Sequence, residues 1–231
     1  MAVDFSKFEE KIGVTFKDKT LLKQAFTHRS YINENRELKL EHNERLEFLG
    51  DAVLELVVTD YLFGTLKESN EGELTSLRSA LVNADSCGAI AQKLGMNEFL
   101  LLSRGEAKDS GRARQFILAN TLEALIGAIY LDRGLEVAQK FILSQITSLV
   151  PDIIKKGAWI DAKSLLQERA QEHTGVTPVY KTLAESGPDH DKRFSVGVYV
   201  SGELYGEGDG KSKQDAEQKA ARKALESRGW E

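Results

Sequence analysis

A chain of 231 residues holds one large domain or two ordinary ones. Its 31 lysines and arginines face 36 aspartates and glutamates, and the formal net charge of -5 argues against a protein that coats nucleic acid through bulk charge. The lone cysteine, Cys87, excludes an intrachain disulfide and a thiolate zinc site; with no visible leader peptide and no apolar run near the roughly 18 residues of a membrane span, a cytoplasmic protein is expected.

The first two thirds read as helices. No proline occurs before Pro151, and apolar residues recur at helical spacing. Leu21, Leu22, Ala25 and Phe26 sketch one amphipathic face. Longer helices are predicted over 44–63, 74–94, 115–132 and 136–149, with loops at Glu71-Gly72, Gly105-Glu106 and Ser110-Gly111. Composition shifts at Pro151 and Gly157 breaks the next stretch. Residues 1–152 are therefore expected to form an all-α domain, and 153–159 a short linker.

The remainder has another rhythm. Residues 161–173 form an amphipathic helix pattern through Ala162, Leu165, Leu166 and Ala170. A strand is predicted over 179–183, and Phe194, Val196, Val198 and Val200 alternate as a half-buried strand does. Ser201-Gly202 turns the chain into a third strand over 204–207. Ser212 opens a last helix with Asp215 as capping-box partner and a stripe of Ala216, Ala220, Ala221, Ala224 and Leu225. The order over 160–229 is α-β-β-β-α, a small α+β module.

Two of the predicted helices carry acids where apolar residues dominate. Residues 44–58 are apolar nearly all round, which predicts a largely buried helix, yet Glu44, Glu47 and Asp51 share one face. Residues 117–131 are likewise interrupted by Asn120, Thr121 and Glu123, with Asn120 and Glu123 as face neighbours. Packed together, the two helices would converge oxygen-bearing side chains, the donor set of a hard divalent cation such as magnesium. The plain alternative is a solvated surface stripe, and spacing alone leaves both open.

The run from His42 through Asn43, Glu44, Arg45, Leu46, Glu47, Phe48, Leu49, Gly50, Asp51, Ala52, Val53 and Leu54 closely resembles the signature of the ribonuclease III family. Thr27-His28-Arg29-Ser30-Tyr31 resembles its upstream motif. Glu71-Gly72 with Leu74-Thr75, Arg78 and Leu81-Val82-Asn83 resembles the next, and Gly105-Glu106, Ser110-Gly111-Arg112 and 117–132 the last. The resemblance implies a magnesium-dependent endonuclease for double-stranded RNA, with manganese as an acceptable substitute and no small-molecule cofactor. Its products would carry 5′-phosphate and 3′-hydroxyl ends, in ribosomal precursor and messenger RNA maturation. It implies catalytic and metal-site roles for Glu47, Asp51 and Glu123, and a homodimer contact at Phe48. The family has an aspartate where this chain has Asn120, so that metal position is neutral here. Three readings follow: an active natural variant, which we favour; an inactivating change; or a non-cleaving RNA-binding regulator. His28 and His42 read as structural or hydrogen-bonding histidines.

In the C-terminal module Ser164, Gln167 and Gln171 sit opposite the apolar face of the first helix, with Glu168 beside them. Such hydroxyl and amide groups suit 2′-hydroxyls and base edges in the shallow minor groove. The module resembles the double-stranded RNA-binding domain, which implies a second minor-groove contact at His190 in the loop 187–190. Lys211 and Lys213, at the start of the last helix, suit phosphates; the family often has a further lysine where this chain has Gln214. An unrelated metal-dependent phosphohydrolase of small substrates is disfavoured by this dedicated RNA module.

Overall fold

The computed structural model describes residues 3–38, 40–156, 161–188 and 192–230. The chain divides into two compact units, Met1–Trp159 and Ile160–Glu231.

The first unit is all-α. Short helices α1 (Ser6–Ile12), α2 (Lys19–Ala25) and α3 (Arg29–Glu34) precede α4 (Glu44–Thr65), α5 (Glu71–Val82) and α6 (Ala84–Lys93). Then follow α7 (Arg112–Arg133), α8 (Leu135–Ile146) and α9 (Val150–Lys156). The centre is the crossing of α4 and α7. Val53, Leu54, Val57 and Leu62 pack there in one buried core with Leu118, Leu122, Leu125 and Ile129. Gly50 and Gly127 let the backbones meet: a Cβ on Gly50 would run into the Glu123 carbonyl, and one on Gly127 into the Leu46 carbonyl. Inside a helix glycine costs about 1 kcal/mol relative to alanine; here close approach is what it supplies.

Three expectations are corrected in this unit. The single helix over 74–94 is two helices. Asn83 adopts an extended backbone, ends α5, and caps α6 by accepting a hydrogen bond from the Ser86 N–H. Short amide side chains compete for backbone donors in this way, worth about 1 kcal/mol per cap. Glu71-Gly72 is the first turn of α5, not a loop, because Asn70 and Glu73 on either side of it form a reciprocal capping box. Finally, helix α9 runs from Val150 to Lys156, through the beginning of the expected linker. Pro151 lies in its first turn, where a missing N–H breaks no helical bond. Residues 157–159 of that linker lie outside the described residues.

The second unit has the predicted order: α10 (Ala162–Thr174), β1 (Val179–Ser186), β2 (Arg193–Val200), β3 (Glu203–Gly210) and α11 (Lys213–Arg228). The strands form one antiparallel sheet in the order β1-β2-β3. All three run longer than or beyond the sequence limits; β1 continues past an irregularity between Thr182 and Ala184. Val196, Val198 and Val200 are buried, as their alternation predicts. The alanine stripe of α11 lies on glycines of β3: a Cβ at Gly206, Gly208 or Gly210 would meet the α11 backbone. Small residues on both sides thus bring the helix axis close to the sheet. The box at α11 forms in part. Ser212 accepts from the Asp215 N–H at 3.1 Å, while the Asp215 carboxylate accepts from the Lys211 N–H at 3.2 Å instead of from Ser212.

Among the described residues, no helix is long and apolar enough to cross a membrane.

Candidate active site and RNA-binding surface

The acids of the first unit are placed by how α4 begins. Asn43 is buried; its side-chain amide donates to the Ala25 carbonyl at 3.1 Å and its N–H to the Thr27 carbonyl at 2.9 Å. Its own carbonyl accepts from the Glu47 N–H at 2.9 Å. One buried side chain therefore fixes the start of the helix that presents Glu47 and, one turn on, Asp51. Sequence reading quoted Asn43 only as part of the signature and gave Gly50 and Gly127 no role. The available signal was an asparagine before a long apolar helix and a glycine inside each of two helices.

Across the crossing, the Glu123 backbone touches Gly50, so Glu123 on α7 stands against the turn of α4 between Glu47 and Asp51. Glu47 and Glu123 are half-buried, while Asp51 and Asn120 are exposed, so this side of the crossing opens to solvent. Partial burial, then the charges of Asp51 and Glu47, pushes the Glu123 carboxyl up to about 7. Burial raises Glu47 too, aided by Glu44 and Asp51, and a hydrogen bond with the Asn120 side chain pulls it back. Cys87 on α6 lies close enough to sense the acids: burial, then Glu123 and Asp51, pushes its thiol up to about 12.

Glu44 opens the expected stripe, and its charge is felt at Glu47. It is exposed and engages Arg29 at 3.4 Å and His42 at 3.8 Å, so a cation of the chain itself already faces it. His28 caps α3, with its Nδ1 2.8 Å from the Ser30 hydroxyl, and partial burial lowers its pKa. His28 thus has hydrogen-bonding work within the fold, whereas the buried His42 Nδ1 lies 3.8 Å from Glu44 without a hydrogen-bond partner among the described residues.

Glu47, Asp51 and Glu123 together offer oxygen ligands, excess negative charge and a solvent-open side. That chemistry suits a hard divalent cation, which keeps much of its water and needs one or two carboxylates. Among the described residues, no three histidine, cysteine, aspartate or glutamate side chains stand close enough to hold one ion jointly. The crossing gathers acids without closing them into a cage.

The expectation that α4 is largely buried is corrected on one face. Leu46, Val53, Leu54, Val57 and Val58 are buried, but Phe48 is 82% exposed, Phe63 72% and Leu56 58%. At spacings of eight and seven residues these three share one face. Apolar periodicity registers a buried and a bare apolar face alike.

In the second unit, Ser164, Gln167, Glu168 and Gln171 are all exposed on α10. Asp161 caps that helix, accepting from the Lys163 and Ser164 N–H groups, and takes a further bond from Gln218 of α11 at 2.7 Å. This ties the two helices together at their N-terminal ends. Lys211 is exposed. Lys213 is paired with Glu185 on β1 at 2.8 Å and lies over the Phe194 ring. Both partners are exposed, so the pair is weak and exchangeable. The loop residue His190 lies outside the described residues.

Comparison with known proteins agrees with both units. Residues 18–150 match the Ribonuclease-III-like family and residues 162–228 the double-stranded RNA binding motif. The chain is 48% identical to Ribonuclease 3 of Protochlamydia amoebophila, over 94% of this chain and 89% of that protein. It is 45% identical to Ribonuclease 3 of Enterococcus faecalis, over 96% of each. Among solved structures, the nuclease domain of ribonuclease III from Campylobacter jejuni superposes with a TM-score of 0.58 at 44% identity, covering 64% of this chain and 99% of that one. Over nearly its whole length, then, the chain belongs to the ribonuclease III family, as an endoribonuclease with a double-stranded RNA-binding module.

Proposed function

We propose that this protein hydrolyses double-stranded RNA with a divalent cation, magnesium or manganese, bound through its water and one or two of the carboxylates of Glu47, Asp51 and Glu123. The observation that carries the reading is the meeting of these acids across the α4–α7 crossing, where burial and mutual repulsion raise Glu123 to about 7. Carboxylates that repel one another at a solvent-open seam are stabilised by a cation between them. When bound, the cation supplies Lewis-acid polarisation of the scissile phosphate and a lowered pKa for its water. Asn120 offers a carbonyl oxygen toward the same space, directly or through water, but neither charge nor basicity. Water adds to phosphorus, the bond to the 3′ oxygen breaks, and that oxygen takes a proton. The ends left are 5′-phosphate and 3′-hydroxyl.

The exposed stripe of Phe48, Leu56 and Phe63 supports a homodimer through α4. A twofold axis would present two sites to two antiparallel strands and give staggered cuts. The exposed groups of α10, with His190, Lys211 and Lys213, form the proposed RNA contacts. They read the A-form groove and its flanking phosphates more than sequence. Ribosomal precursor and messenger RNA duplexes in the cytoplasm are the proposed substrates.

A cleavage assay on a long duplex RNA, with magnesium and with chelator, tests the reading. Cutting with magnesium and none with chelator is expected; cutting that survives chelation overturns the cation assignment. Asn120 gives one specific ground for a second reading, a non-cleaving RNA-binding regulator. If this chain cuts at no magnesium concentration while Asn120→Asp cuts, that second reading stands.

A further inference from the structure

We infer that two polar ties between α10 and α11, Asp161 with Gln218 and Lys163 with Glu217, set which duplex the second unit accepts. The ties hold the exposed groups of α10 at a fixed span from Lys211 and Lys213, and that span fits A-form RNA and not B-form DNA. The inference rests on the proposed RNA contacts of these two helices. Glu217 and Gln218 are then positioning residues, acting through α10 rather than by touching RNA.

Asp161 is the node. Its Oδ1 accepts from the Gln218 amide at 2.7 Å and from the Lys163 and Ser164 N–H groups at 3.1 and 3.3 Å. Its Oδ2 accepts from the Ser164 hydroxyl at 3.0 Å. One carboxylate thus caps α10, orients a proposed groove contact and holds α11. Beside it, Lys163 pairs with Glu217; both are partly buried, so this pair is less screened than the exposed Lys213–Glu185 pair. Packing alone does not fix the span. Ala162 and Leu166 share a core with Ala220, Ala221 and Ala224. Between the first turns of the two helices, however, lies a cavity of about 260 Å³ lined by Ser164, Gln167, Tyr180 and Gln214. The Tyr180 hydroxyl is buried with no hydrogen-bond partner among the described residues. Side chains facing a cavity make no contacts across it, so the polar ties hold the spacing there.

The two duplex forms differ in that span. A-form RNA has a wide, shallow minor groove beside a narrow major groove, whereas in B-DNA the minor groove is narrow and the major groove wide. A reader with groove and phosphate contacts at a fixed distance fits one form. A reader whose two parts move independently fits either, at an ordering cost.

The test uses the full chain without divalent cation and compares dissociation constants for one sequence as duplex RNA and as duplex DNA. Glu217→Ala/Gln218→Ala is expected to bind RNA about tenfold more weakly, with DNA binding within about twofold of the natural chain, so the preference for RNA falls. The charge swap Lys163→Glu/Glu217→Lys rebuilds one tie at unchanged net charge and should keep the preference, whereas Glu217→Lys alone should lose it. An equal loss for RNA and DNA would mean that the ties serve stability alone, and overturns the inference. A swap that loses the preference as Glu217→Lys does overturns it too. Lys211→Ala/Lys213→Ala separates the two levels. If that variant leaves RNA affinity unchanged, the proposed contacts fail and the inference with them. If it weakens RNA binding while Glu217→Ala/Gln218→Ala keeps the full preference, only the inference fails. Should the latter variant not fold, Gln218→Ala, which loses a single hydrogen bond, decides by the same ratio.

Discussion

Both units depend on glycine to bring backbones together, and they differ in what they leave at the seam. At the α4–α7 crossing, Gly50 and Gly127 press two helices into contact, and the carboxylates beside them are half-buried and mutually repelling. Under α11, Gly206, Gly208 and Gly210 seat a helix on a sheet, and the charges around it stay exposed and paired, as in Lys213 with Glu185 and Lys219 with Asp215. At the first seam, burial and mutual repulsion raise the Glu123 carboxyl to about 7, which is the ground for the cation proposed there. At the second, the Lys213–Glu185 pair is exposed and can be exchanged for another partner. The proposed chemistry and the proposed recognition thus lie on seams built with the same backbone device.

The largest break of this contrast is Glu123→Gln. Cleavage should fall by a factor on the order of a thousand, the several kcal/mol of transition-state stabilisation that a correctly held cation provides. Duplex RNA binding in a gel-shift assay without divalent cation should not change, because the second unit is untouched. Next is Gly50→Ala, which forces the Glu123 carbonyl away from α4. Overpacking of this kind costs about 1–3 kcal/mol, and denaturant unfolding should show the loss in the first unit. A wild-type midpoint would mean the helices do not meet as described.

The pH dependence sharpens the same point. Glu123 has its folded pKa raised from 4.5 to about 7, so the folded state holds its proton where the unfolded state has released it. Its stabilising share is complete below about pH 4.5 and is lost as pH rises through 7. The melting temperature should therefore decline over that window, and Glu123→Gln should flatten the decline. On the recognition side, Lys211→Ala with Lys213→Ala should flatten the salt slope of RNA binding by about two, one for each lost phosphate contact. An unaltered slope would remove both lysines from the contact set. The smallest effect is Glu185→Gln, which releases Lys213. RNA affinity should rise by about twofold, the scale of an exposed ion pair.

What was legible in the sequence was periodic. The long α4 and α7, the α10 stripe and the alternation of β2 all follow from apolar spacing, and the acids stood out as breaks in that spacing. What was not legible is non-local or is decided by a single polar side chain. The run over 74–94 stays apolar across Asn83, so nothing periodic marks the break; a side-chain cap does. Phe48, Leu56 and Phe63 have the same apolar character as Val53 and Leu54, and the positions of α5, α7 and α8 determine which face is covered. Glu185 is remote in sequence from Lys213, so their pairing could not be read along the chain. The family signature drew attention to Glu47 and Asp51, yet the parts that position them, Asn43 and the two glycines, carry no charge to mark them.

Cys87 turns this architecture into an instrument. It is the chain's single thiol, 1% exposed, on the helix next to the acidic seam. With its pKa at about 12, almost no thiolate exists at neutral pH while the fold is closed. A thiol reagent can modify it only when α6 swings out or the first unit unfolds. The rate of labelling therefore clocks the opening of the nuclease unit alone, since the RNA-binding unit contains no cysteine.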